Sequence, residues 1–119
     1  MNEKRQFQRV RFAAETVVEI RGELIKATLM DISLKGALVA VHDGRPPDRG
    51  EPCRLMIHLD MSDVTLSFGG VVAHGRDDLF GITYTAIDID TMIHLRNLME
   101  LNSGDPDLVR SELASFIES

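Results

Sequence analysis

From Thr16 to about Ala86, apolar and polar residues alternate with a period close to two, the spacing at which neighbouring side chains face opposite sides of a strand. Leu55, Ile57 and Leu59 alternate with Met56, His58 and Asp60, and Phe80, Ile82 and Tyr84 alternate with Leu79, Gly81 and Thr83. Turn-forming residues break the pattern at Arg21-Gly22, at Lys35-Gly36, through the loop Asp43–Gly50, at Asp60–Asp63 and at Arg76-Asp77-Asp78. These breaks predict six strands at about 15–21, 24–31, 36–42, 52–60, 64–74 and 79–86. Gly69-Gly70 falls inside the fifth, where paired glycines permit the bulge or sharp bend that closing a small barrel requires. The predicted fold is mainly β: a six-stranded antiparallel barrel, with a sandwich as the alternative.

The period changes after Asp88-Ile-Asp90. Met92, Leu95, Leu98 and Met99 recur at three- and four-residue spacing, which predicts a helix over about 90–103 capped by Asp90 and ended by Gly104. Asp105 and Pro106 suit the cap and first position of a second helix, over about 105–118, with Val109, Leu113, Phe116 and Ile117 on one face. Both stripes read as core rather than as cofactor contacts. Residues 1–14 precede the barrel as a basic arm, and 15–119 form one domain.

The 119 residues suffice for a single core that buries roughly 65% of the unfolded surface. There is no apolar run of about 18 residues and no apolar stretch near the N-terminus, so a cytosolic protein without membrane insertion is expected. Cys53, the only cysteine, excludes an internal disulfide and a thiolate zinc cluster, and reads as a half-buried strand residue. A net charge of −6 argues against a general DNA or RNA binder. The distribution is uneven. Residues 1–11 hold Lys4, Arg5, Arg9 and Arg11 against Glu3 alone, whereas residues 100–119 hold Arg110 against Glu100, Asp105, Asp107, Glu112 and Glu118. A small anion suits the basic end, while a long polyanion would also meet the acidic one.

No constellation of an enzyme is present in the sequence: His42, His58, His74 and His94 lack ligand spacing, and no nucleophile elbow, H-E-x-x-H or phosphate loop occurs. The carboxylates of Asp77-Asp78 and Asp88/Asp90 sit where turns and caps account for them. A binding protein is expected, with neither metal nor cofactor. One stretch stands apart. In Asp31-Ile-Ser-Leu-Lys-Gly36, the end of a strand presents a carboxylate and a hydroxyl two residues apart, beside a glycine able to take the positive φ of a tight turn. By itself this reads most simply as a hairpin turn whose Asp31 or Ser33 bonds nearby backbone N–H groups.

Together, Arg5-x-x-x-Arg9 and, some twenty residues later, Asp31-x-Ser33-x-x-Gly36 resemble the two-part signature of the PilZ family, R-x-x-x-R and [D/N]-x-S-x-x-G. Each motif alone is loose; their order, separation and barrel context make the match specific, and with the helix after Ile87 it extends over nearly the whole chain, as in stand-alone PilZ proteins. The resemblance implies a bacterial receptor for cyclic di-GMP. Guanidinium groups fork onto phosphate oxygens or onto guanine O6 and N7, which suits Arg5 and Arg9, with Arg11 as a further cation.

By the same resemblance Asp31 and Ser33 take the guanine edge, the carboxylate accepting from N1–H and the amino group, while Gly36 shapes the turn. His74 stands where relatives carry an aromatic residue that stacks on guanine, and reads equally well as a surface histidine. Lys4, a cation before R-x-x-x-R, is similar to the pattern that accompanies an intercalated dimer of the nucleotide, whose added charge it would offset.

The implied mechanism is a switch in which the basic arm closes over the ligand and the altered surface signals to a downstream protein; a monomer is the expected state. The main rival is a PilZ-like protein-interaction module that has lost the nucleotide. An oligonucleotide-binding barrel is disfavoured by the acidic charge and by only six aromatic residues.

Overall fold

The structure is a computed structural model that describes residues 9–42, 46–59, 63–103 and 105–118, with the side chains of 103, 106 and 115–118 outside that description. Six strands occur in it: β1 (Val10–Ile20), β2 (Glu23–Ile32), β3 (Gly36–Val41), β4 (Pro52–His58), β5 (Thr65–Arg76) and β6 (Leu79–Ile87). They pair antiparallel in the order β1-β2-β3-β6-β5-β4, and β4 returns to β1 through Thr16↔Ile57 and Val18↔Leu55, which closes the barrel and excludes the sandwich. The alternation legible in the sequence is the cause: Val18, Leu29, Val39, Leu55, Ile57, Leu66, Phe68 and Phe80 all face inward and are sealed from solvent. Each such burial is worth about 1.5–3 kcal/mol relative to exposure. Thr16, polar yet buried, is satisfied by donating to the Met56 carbonyl at 2.6 Å.

The ladder of β5 and β6 shifts register between Gly69 and Gly70, the bend expected of that pair. A Cβ on Gly70 would lie 2.5 Å from the Thr83 carbonyl oxygen, so the close approach of β6 requires a glycine there. Cys53 lies half-buried in β4, as expected.

The first strand departs from expectation. It starts at Val10, so residues 10–14 of the expected arm belong to the barrel. The reason is packing: Val10 and Ala14 are buried and Phe12 rests against the core, continuing the inward row past a register shift between Arg11 and Ala14. The basic residues hid this alternation because Arg9 and Arg11 occupy the outward positions on either side of Val10.

Two helices follow, α1 (Ile89–Ser103) and α2 (Pro106–Glu118). Asp88, not Asp90, caps α1: its carboxylate accepts the Thr91 N–H at 2.7 Å and its carbonyl accepts the Met92 N–H at 3.0 Å. The Thr91 N–H, helped by the Thr91 hydroxyl, holds the Asp88 carboxyl below its ordinary range. Asp90 instead lies in the first turn, where a negative charge suits the helix dipole. Asp105 caps α2 as expected, accepting the Leu108 N–H at 3.1 Å. Leu95, Leu98, Met99 and Val109 are buried core residues, and α1 packs on β5 and β1 with α2 against it. Ser67 N–H donates to Thr91 Oγ1 at 3.4 Å, which ties the start of α1 to β5. Gly104 and the side chains of Phe116 and Ile117 lie outside the described residues.

The pairing registers bring the start of β1, the end of β2, the start of β3 and the end of β6 to one end of the barrel. Arg9, the last residue of R-x-x-x-R, meets D-x-S-x-x-G there.

Candidate functional site

The turn between β2 and β3 is built by Ser33. Its N–H donates to the Gly36 carbonyl at 2.8 Å, and its Oγ accepts the Lys35 and Gly36 N–H groups at 3.2 and 3.1 Å while lying 3.2 Å from the Gly36 carbonyl. At 1% exposure, the hydroxyl of Ser33 serves the turn. Gly36 is not at positive φ, contrary to the expectation from sequence; the positive-φ glycines described are Gly22 and Gly50. What demands a glycine is the neighbouring strand: with Gly36 paired to Thr83, a Cβ would strike the Ile82 carbonyl oxygen.

Asp31 stands beside a register shift in the β2–β3 ladder and opposite Arg11 of β1. Its partner is Arg9, just before β1, whose Nε and one terminal nitrogen reach Asp31 Oδ1 at 2.9 and 2.7 Å. The pair joins residues 22 apart in sequence. It remains open to water, with 50% of the Arg9 side chain and 21% of the Asp31 side chain exposed. An ion pair of that exposure contributes about 0–1 kcal/mol, less than the roughly 1.5–3 kcal/mol of a hydrogen bond to a charged group, so a well-placed anion can displace it.

Beside the pair runs a groove of about 260 Å³ lined by Arg9, Lys35, Gly36, Ala37, Ala73, His74, Gly81, Ile82 and Thr83. His74 pairs across the ladder with Gly81, and a Cβ at Gly81 would lie 3.0 Å from the imidazole Cε1, so the glycine makes room for the ring on β6. A second groove of about 490 Å³ continues past His74 between Pro46, Arg49 and Arg76. The exposed imidazole thus forms a wall common to both.

Of the expected site residues, the structure brings together Arg9, Asp31, Gly36 and His74, with Ser33 beneath the turn. Arg11 is exposed opposite Asp31 but does not line the groove, and Lys4 and Arg5 lie outside the described residues.

Two residues at this end escaped the sequence reading. Lys35 lies within D-x-S-x-x-G at an unspecified position, and only the groove shows that it adds a cation. Tyr84 continues the inward row of Phe80 and Ile82, stacks on Phe68 with ring centroids 4.3 Å apart and planes 11° apart, and has its N–H bound to the Lys35 carbonyl at 3.0 Å. Its hydroxyl is buried and has no hydrogen-bond partner among the described residues. Burial pushes the Tyr84 phenol well above its ordinary range; of the charges that reach it, Arg9 opposes the shift and Asp31 adds to it. Tyr84 carried only the strand's alternation, which marks it as core and not as part of a site, and Lys35 carried neither periodicity nor a specified motif position.

A larger groove, about 670 Å³, lies elsewhere, across β1, β2 and β4, and is lined mainly by apolar surface together with Glu15, Lys26, His42 and His58. It contains no residue of either motif and mixes charges of both signs, so it lacks the cationic character that an anionic ligand requires. No cluster of three or more potential metal ligands occurs among the described residues.

The family model for the PilZ domain matches residues 3–101, which include both motifs and the whole barrel. The chain belongs to the PilZ domain family. PilZ domains are generally receptors for cyclic di-GMP, acting as receptor or effector modules rather than as enzymes. Among solved structures, the Bacillus subtilis inhibitor of motility, MotI/DgrA, superposes with a TM-score of 0.66 at 22% identity, over 79% of this chain and 48% of that one. The chain therefore spans about half the length of the Bacillus protein. The PilZ domain of CeSA from a cellulose-synthesizing bacterium superposes with a TM-score of 0.62 at 14% identity, over 76% of this chain and 93% of that domain. At these identities the likeness is one of fold. No helix among the described residues is long and apolar enough to cross a membrane.

Proposed function

We propose that this PilZ domain binds cyclic di-GMP at the Arg9–Asp31 end of the barrel and passes the signal to a protein partner. The observation that carries the reading is the ion pair itself, because it places the last arginine of R-x-x-x-R on the aspartate of D-x-S-x-x-G, beside a groove with Lys35 and His74. Arg9 and Asp31 offer opposite chemistry. The guanidinium serves a phosphate or guanine O6/N7, and the carboxylate serves guanine N1–H and its amino group. Arg5 joins Arg9 on the ligand, and Lys4 and Arg11 offset the charge of a second, intercalated nucleotide. Ser33 and Gly36 hold the turn from which Asp31 projects, and His74 stacks on a base.

A second reading, a protein-interaction module without a nucleotide, draws on Ile89, Ile93 and Leu101, which expose apolar side chains on α1. Both readings allow a partner at α1; only the first requires the groove.

Calorimetric titration with cyclic di-GMP, with cyclic di-AMP and GTP as comparisons, separates them. Saturable heat with the guanine dinucleotide and much weaker heat with the others is expected, and the stoichiometry distinguishes one nucleotide from two. No heat with tens of micromolar protein, under conditions that detect a known receptor, would refute nucleotide binding.

A further inference from the structure

We propose that the groove beyond His74 is a second guanine subsite, in which Arg49 and Arg76 supply the guanidinium groups for O6 and N7 of the base and His74 forms the wall shared with the first groove. This rests on the nucleotide reading above and deepens it. Size is the first reason. The groove beside Arg9 and Asp31 holds about 260 Å³, below the roughly 300–1,000 Å³ usual for a ligand pocket, whereas cyclic di-GMP carries two guanines and two phosphodiesters. A dinucleotide therefore overflows it, and the adjoining groove of about 490 Å³ has His74 in common with it.

The backbone builds this second groove. Pro46 packs on the strand that carries both His74 and Arg76, for a Cβ on Gly75 would lie 3.3 Å from Pro46 Cβ. The loop that bears Arg49 is tied to the same strand: Gly50 N–H donates to the Val72 carbonyl at 2.7 Å, and Val72 N–H donates to the Glu51 carbonyl at 2.9 Å. Arg49, His74 and Arg76 thus line one cavity, together with Asp48 and Asp77. Among the described residues neither arginine has an ion pair, so each can meet a ligand without first giving up a partner. Two cations among two carboxylates lack the excess charge that holds a phosphate. They match the edge of a neutral guanine, which presents acceptors at O6 and N7 and donors at N1 and its amino group. Pro46, Pro47 and the His74 imidazole add the apolar and stacking surface that a base requires. Adenine carries an amino donor where guanine has O6, so a forked arginine rejects it.

The hybrid dinucleotide cyclic GMP–AMP tests this, because it has the charge of cyclic di-GMP and differs in one base. Asp31 takes its guanine, which leaves adenine for the second groove. Calorimetric titration of the wild-type protein should show cyclic di-GMP binding about tenfold more tightly than the hybrid. In the double variants Arg49→Ala/Arg76→Ala and Arg49→Lys/Arg76→Lys the preference should fall to about twofold, the factor left by two equivalent guanines, since lysine keeps the charge but not the fork. Cyclic di-GMP should still bind both variants through Arg9 and Asp31, and their thermal midpoints should match wild type because both arginines are exposed. Equal affinities in the wild type, a preference kept in either variant, or an equal loss of both ligands overturns the proposal while leaving nucleotide binding intact. Absence of cyclic di-GMP binding by the wild-type protein removes the nucleotide reading and this inference with it.

Discussion

Arg9 and Asp31 share one carboxylate oxygen at the surface, and their value to the fold is small for that reason. Arg9→Ala and Asp31→Ala should each weaken cyclic di-GMP tenfold or more, as about 1.5–3 kcal/mol of charge-assisted bonding implies, yet move the thermal midpoint by only about 2 °C. Calorimetry and a melting curve on the same samples check both; a collapse of folding with no separable loss of affinity would assign the pair to structure. Cys53 and Tyr84 behave differently, because burial raises both. The Cys53 thiol is pushed up to about 11 from an ordinary value near 9. Between those values the unfolded chain ionises while the folded one keeps its proton, so stability falls as pH rises from about 9 to 11. Tyr84 extends the loss above pH 10. Alkaline melting curves should show this decline, and it should be shallower in Cys53→Ala. The site was only half legible at this scale. Arg9, Asp31 and Gly36 announced themselves by motif, but the turn-building work of Ser33 is a backbone matter. Lys35, His74 and Tyr84 converge only through the β3–β6 and β5–β6 registers, which alternation does not specify.

Between neighbouring elements, close approach governs what the sequence tolerates. Gly69 and Gly70 look equivalent on paper, but a Cβ on Gly69 would meet the Ala86 Cβ at an ordinary 3.4 Å, whereas one on Gly70 would press within 2.5 Å of the Thr83 carbonyl oxygen and 2.9 Å of Ile82 Cγ2. Gly70→Ala should therefore destabilise by about 2 kcal/mol or more, since backbone must move, and Gly69→Ala by about 1 kcal/mol or less. Chemical denaturation of the two variants checks the difference; equal losses would mean that a bend rather than proximity sets the requirement. Strand number, barrel closure and the inner stripes of α1 and α2 were readable because one buried face imposes periods of two and 3.6. Boundaries were less so. Arg9 and Arg11 masked the inward row Val10–Phe12–Ala14, and Asp88-Ile-Asp90 offered two carboxylates for one cap, between which only the position of Thr91 decides.

Across the whole molecule, the net charge of −6 repels an anionic dinucleotide, while the basic N-terminal residues and Lys35 attract it locally. These fields respond to salt in opposite directions but over different ranges. The diffuse repulsion acts over tens of ångströms and is largely screened at about 0.1 M, where the Debye length is roughly 10 Å, whereas contacts at the groove lose strength only as that length approaches about 3 Å near 1 M. Affinity for cyclic di-GMP should therefore rise slightly from about 20 to 100 mM salt, as the repulsion is screened, and then fall roughly fivefold or more toward 0.5 M. Ligand at a hundred times its dissociation constant should add about 2.7 kcal/mol of stability, raising the thermal midpoint by roughly 10 °C at low salt and progressively less above it. Melting curves in a salt series, with and without ligand, measure both effects in one experiment. A ligand-induced rise that stays constant to 0.5 M would mean that stacking on His74, rather than the arginines, holds the nucleotide.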